Sequence, residues 1–220
     1  MDWTAQIDAY CERTDFTFWS EPLNALTNVL YLLGGLWMLS RSRDDGLPIA
    51  TLLSVMLILI SIGSFLFHTT AMAWAGLADS APIGVFILIY LFAVNRDFLR
   101  MLWRQAGLAT AGFAPYAAVL VPLLNRVPFL AISDFYWTVP ILLLAYAPFV
   151  ARHRRETALG MVAGALLLSV SITVRSFDES LCEVWPIGTH FIWHILNSIM
   201  LPFMIEVYRR HMLEARQSKG

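Results

Sequence analysis

His190 and His194, in the run His190-Phe-Ile-Trp-His194, are four residues apart, a spacing that puts both imidazoles on one face of a helix. The run Gly63-Ser64-Phe65-Leu66-Phe67-His68 repeats that spacing with a serine and a histidine, and Asp79 follows after a short uncharged connection. Three imidazoles suit zinc, which accepts neutral nitrogen at about 2.0–2.1 Å and in catalytic sites keeps a fourth position for water. An i, i+4 pair supplies two ligands, as in soluble zinc hydrolases, and a third from another helix closes the tripod. The histidine pair lacks the glutamate of the H-E-x-x-H pattern, so a proton-handling carboxylate must come from elsewhere, and Asp79 is the candidate. Ser64 alone would read as a helix-packing hydroxyl; its place one turn from His68 makes it a candidate to hold an oxyanion.

These groups need elements that bring them together, and the composition says what kind. The chain has 220 residues, 58% hydrophobic and 14% charged, with a mean hydropathy of +0.64; soluble domains carry far more charge. Most of it must meet lipid. Seven long uncharged runs emerge, at about Asn24 to Leu39, Ile49 to His68, Ser80 to Asn95, Leu108 to Leu124, Tyr136 to Val150, Ala158 to Val174 and Thr189 to Tyr208. The expected fold is all-α, an integral membrane bundle of seven transmembrane helices in a single domain. Residues 1–21 form an outer segment and 209–220 a cytoplasmic tail.

Basic residues favour the cytoplasmic side. One side of the seven-span arrangement holds Arg41, Arg43, Arg96, Arg100, Arg104, Arg152, Arg154, Arg155, Arg209, Arg210, Arg216 and Lys219, the other only Arg13, Arg126 and Arg175. The N-terminus is therefore expected outside and the C-terminus in the cytoplasm. With the second span running outward and the seventh inward, Ser64, His68, Asp79, His190 and His194 fall at one depth near the extracytoplasmic face. Cys11 and Cys182 fall on that same side, where an oxidising compartment permits a disulfide. His153 and His211 lie beside arginines on the cytoplasmic side and read as solvated or interfacial.

A net charge of -1 excludes a basic nucleic-acid binder, and no Gly-rich phosphate loop or internal repeat is present. The first residues, with Asp2, Asp8, Glu12 and Asp15, have the wrong polarity for a cleavable signal peptide. Pro22, Pro82, Pro140 and Pro202 read as local kinks.

The motifs around Ser64, His68 and Asp79, the run Gly188-Thr189-His190 through His194, and the block Tyr10-Cys11-Glu12 with Glu21-Pro22-Leu23-Asn24 and Asn28 together resemble the alkaline ceramidase family. That family belongs to a wider group of seven-helix membrane hydrolases that includes the adiponectin receptors. The resemblance spans residues 10 to 208. It implies zinc on His68, His190 and His194, proton transfer by Asp79 and oxyanion support from Ser64. The implied reaction is hydrolysis of the amide of ceramide or a similar N-acyl lipid, entering from the bilayer, to a fatty acid and a sphingoid base; in a bacterium the membrane would be the plasma membrane. Eukaryotic relatives also bind calcium near the N-terminus with an acidic cluster, of which Glu12 and Glu21 match; the other reading of these carboxylates is a solvated acidic tail that caps the site. Hydrolysis of another lipid amide or ester, and a seven-helix receptor with a structural metal, are the alternatives.

Overall fold

The computed structural model describes residues 2–218; Lys219, one of the basic residues counted above, lies outside them. Seven helices are long and apolar enough to cross a membrane. They are α1 (Pro22–Asp44), α2 (Pro48–Thr70), α3 (Ala73–Ala93, continued by a π turn over Val94–Phe98), a fourth crossing made of α4 (Trp103–Ala111) and α5 (Phe113–Leu124), then α7 (Asp134–Ala151), α8 (Arg155–Ser176) and α10 (His190–Gln217). Two single-turn helices, α6 (Pro128–Ala131) and α9 (Asp178–Leu181), lie in the connections. Among the described residues there is no strand, only an isolated antiparallel bridge between Gln6 and Met72.

The all-α bundle of seven spans is the expected architecture, with three differences in where the helices run. The third begins at Ala73 rather than Ser80, because the lone charge of Asp79 interrupts an otherwise apolar stretch whose preceding residues are good helix formers. Asp79 therefore sits two turns inside α3 and does not open it. The fourth starts at Trp103 and is divided at Gly112. The seventh continues to Gln217, so of the residues expected as a tail 209–217 are helical; the Arg216 guanidinium there donates to the backbone carbonyls of Asp45 and Gly46 at 2.7 and 3.0 Å.

Local chemistry sets the helix ends. Proline occupies the first turn of α1 and α2, where its missing N–H costs nothing and its fixed φ favours the helix. Helix α2 stops at Ala71, which turns left-handed and returns its N–H to the Phe67 carbonyl. Buried serines such as Ser54 satisfy their hydroxyls on the carbonyl four residues back, so the spans present little unpaired polarity to lipid.

The spans close into a ring. Helix α1 packs on α2 and α10, α2 on α3, α3 on α4, α5 on α7, α7 on α8, and α8 on α10. Leu53, Leu57, Phe98, Met161, Ile172 and Ile205 fill the interior, while Leu33, Trp37, Leu159, Leu166 and Ile199 point outward, the arrangement expected when lipid is the solvent. One end of the ring carries the three histidines, the other the arginine-rich connections.

The N-terminal segment crosses the histidine end and is fixed at three places. Around the Gln6–Met72 bridge, Ile7 N–H donates to Ala71 O at 2.8 Å and Ala73 N–H to Ala5 O at 3.0 Å. The expected disulfide joins Cys11 to Cys182, with a Cα–Cα distance of 5.1 Å. The Glu12 carboxylate accepts the N–H groups of Leu23 and Asn24 at 2.6 and 2.8 Å, satisfying donors that the first turn of α1 leaves open.

Candidate active site

His68 lies in the last turn of α2, His190 in the first turn of α10 and His194 one turn further on. Their ring centroids are 5.2 Å (His68–His190), 4.8 Å (His68–His194) and 4.6 Å (His190–His194) apart. Helix α10 begins at His190 because Asp178, itself buried, accepts the N–H of Thr189 at 2.5 Å and of His190 at 2.8 Å. The other oxygen of Asp178 accepts the Cys11 N–H at 3.0 Å, so one carboxylate ties the start of α10 to the N-terminal segment. Gly188 makes that possible: its φ is +62°, and a Cβ there would overlap the Asp178 carboxylate.

Each imidazole is held on one side. His68 Nδ1 lies 2.6 Å from Glu21 Oε2, and His194 Nδ1 lies 2.9 Å from Thr27 Oγ1 and 3.1 Å from Asn24 O. His190 is stacked on Tyr10, centroid to centroid 3.6 Å. What remains is telling: His68 Nε2 and His190 Nδ1 are buried with no hydrogen-bond partner, and buried polar atoms are rarely left so. One nitrogen from each of the three rings lies within 4.8 Å of the others, the one group of three or more His, Cys, Asp or Glu side chains among the described residues placed to hold a metal ion. The donors are neutral nitrogens with a carboxylate behind one of them, the set that suits zinc. The residues therefore fit a metal.

Beside the histidines, Ser64, Asp79, Tyr10, Tyr136 and Arg175 line a cavity of about 20 Å³, room for about one water. Ser64 and Asp79 face this cavity together from α2 and α3. Their closeness depends on Gly63, where a Cβ would run into the Ala78 carbonyl and lie 3.0 Å from the Asp79 nitrogen; α2 and α3 can approach only because it is absent. Tyr31, Ile60, Ile83, Tyr136 and Trp193 belong both to this polar cavity and to an apolar one below it that runs along the ring past Phe86 and Met200.

The model of the ceramidase family matches residues 2–219. The chain belongs to the ceramidase family. A search of the curated proteins finds no match. As a ceramidase-family member it is a multi-pass membrane hydrolase acting on the amide bond of ceramide, and the candidate site lies where that chemistry has a histidine cluster, a carboxylate and an apolar cavity in contact.

In this family member the structure brings Ser64, His68, Asp79, His190 and His194 to one place and puts Glu12 and Glu21 to separate uses. Glu12 caps α1, and burial pushes its carboxyl up against the opposing N–H bonds from Asn24 and Leu23. Glu21 holds His68 Nδ1 with one oxygen and Arg13 Nε, at 2.5 Å, with the other. Burial opposes its charge, yet the hydrogen bonds from His68 and the Asn24 amide and the Arg13 guanidinium together hold its carboxyl below the ordinary carboxylate value. Two further residues escaped the sequence reading. Tyr10, whose phenol burial pushes up, was visible only as part of the N-terminal motif. Arg175, tallied as a loop cation, ends α8 with its guanidinium 5.5–5.9 Å from the ring centroids of Tyr10, Tyr136 and Trp193. An arginine closing an apolar run was its only signal.

Proposed function

We propose that this chain is a zinc-dependent amidohydrolase that cleaves ceramide, or a closely similar N-acyl lipid, to a fatty acid and a sphingoid base at the extracytoplasmic face of the membrane. The observation that carries this reading is the meeting of three buried histidines, two with unpartnered nitrogens, with Asp79 at the head of an apolar cavity. The arginine-rich end, with Arg41, Arg43, Arg96, Arg100, Arg104, Arg152, Arg154 and Arg155, supports a cytoplasmic placement of that end and an outer placement of the histidines.

His68, His190 and His194 would hold the ion. Bound there, zinc supplies Lewis acidity, which polarises an amide carbonyl and acidifies water toward pH ~7. The chain's own groups do the rest. The apolar cavity seats an acyl chain arriving from the bilayer and excludes water from everything but the polar pocket at its head, and the low dielectric there strengthens each charge interaction. Asp79 takes a proton from the attacking water on a carboxylate oxygen and passes it to the departing nitrogen, so that the C–N bond breaks to a neutral amine. Ser64 Oγ donates to the oxygen of the former carbonyl as it gains charge. Glu21 and Thr27 keep His68 and His194 in fixed orientations.

The test is incubation of purified protein with a panel of ceramides, other N-acyl amides and matched esters, followed by mass spectrometry for released fatty acid and metal analysis of the same preparation. Fatty acid from ceramides with one zinc per chain is the expected result. Release from the esters alone would overturn the amidase reading, and full activity in metal-free protein would overturn the zinc.

A further inference from the structure

Arg13, in the outer N-terminal segment, is an arginine whose side chain is 1% exposed. Isolated, such a cation would be expensive to bury, so its surroundings must repay it. Its Nε donates to Glu21 Oε1 at 2.5 Å, Nη1 to the Asp15 carbonyl at 3.0 Å and Nη2 to the backbone carbonyl of His68 at 3.0 Å. The second oxygen of Glu21 is the one that faces His68 Nδ1, at 2.6 Å, and it also accepts the Asn24 amide at 3.0 Å. Arg13 thus grips a candidate metal ligand twice. It holds the main chain of His68 directly, at a carbonyl that the C-terminal turn of α2 leaves open, and the ring through Glu21.

Only a planar fork can do both at once; a lysine ammonium is a point charge and would have to choose. A carboxylate pressed against a ligating imidazole fixes the ring and its tautomer, but a buried carboxylate needs a cation of its own. Here the cation engaging Glu21 is part of the chain. We propose that Arg13 is a positioning residue for the metal centre, a built-in cation that holds Glu21 and through it His68 in the ligating orientation, and that the centre therefore needs no second metal ion at the N-terminal carboxylates. This rests on the reading of His68, His190 and His194 as the zinc site.

The experiment measures zinc binding, not turnover. Full-length protein, stripped of metal in detergent, is titrated with Zn²⁺ against a chromophoric chelator, and with Co²⁺ for its visible absorption, each with and without Ca²⁺. Wild type is expected to bind one zinc with the same affinity in calcium and in a calcium chelator. Arg13→Met and Glu21→Gln are expected to weaken zinc about tenfold to a hundredfold, the usual effect of removing support behind a ligand, and to alter the Co²⁺ band. Arg13→Lys, which keeps the charge and loses the fork, should fall between. If Arg13→Met does not fold, the lysine variant and the wild-type calcium comparison still decide. Undiminished zinc affinity and an unchanged Co²⁺ band in Arg13→Lys and Glu21→Gln would overturn the proposal, as would tightening of wild-type zinc by calcium. A different result marks failure of the underlying reading: wild type that binds no zinc, or His194→Ala that binds it as well as wild type.

Discussion

The two ends of the bundle hold their charged and polar groups in opposite ways. At the arginine end, Glu206 accepts from Arg41 at 3.3 Å, Arg209 at 3.2 Å and Arg210 at 2.9 Å, Arg209 also meets Asp45, and Arg154 meets Glu214. Glu206 itself is buried, but Arg41 and Arg210 beside it and the Arg154–Glu214 pair reach the surface, and every one of these acids has a base. At the histidine end, Arg13, Glu21 and His68 are sealed from solvent, and beside their short bonds stand ring nitrogens with nothing to bind. Pairing of each acid with a base at a water-accessible rim is a device of orientation and solubility. Unpaired ring nitrogens in a dry interior are a cost that a bound ligand would offset, on the function proposed above a metal ion.

The largest effect expected from this contrast is at His194. His194→Ala removes one of three ligands, so stoichiometric zinc and turnover should both be lost, read by metal analysis and fatty-acid release on the same sample; retention of both would end the assignment. Next comes Asp79→Asn, which keeps shape and removes the proposed proton carrier: turnover should fall about a hundredfold to ten-thousandfold with zinc content unchanged. Because Asp79 lies inside α3 and not at its cap, a loss of activity there has no capping explanation. Gly63→Ala pushes a methyl against the Ala78 carbonyl; overpacking of this kind costs about 1–3 kcal/mol, and by parting Ser64 from Asp79 it should reduce turnover more than zinc affinity. The smallest effect belongs to the other end. Glu214→Gln should change stability by less than about 1 kcal/mol, as for partly exposed ion pairs, with activity intact; a large loss there would erase the distinction between the two ends.

Much of the site was legible in the sequence because it depends on local spacing and side. The i, i+4 periodicity of His190 and His194, and the alternation of spans that returns His68 to the same depth, are enough to bring the rings together. The same alternation put Cys11 and Cys182 on one side, and the disulfide is there. What escaped depends on contacts with no period. The Arg13–Glu21–His68 arrangement joins residues 8 and 47 positions apart through an irregular segment, and no window of residues announces that a surface arginine turns inward. Asp178, an acid in the connection between two spans with no spacing to mark it, is the group that starts α10. The same blindness explains the third span: a hydropathy criterion that stops at a charge cannot see a helix that carries its charge inside.

The bond between Cys11 and Cys182 joins residues 171 positions apart, and six of the seven spans lie between them. The polypeptide is therefore a covalent ring with a short leading end and a trailing helix that carries two of the histidines. A protease that cuts any single connection between α1 and α8 opens the ring without dividing the molecule. Its two pieces should migrate as one on a denaturing gel until a reductant is added, and then separate.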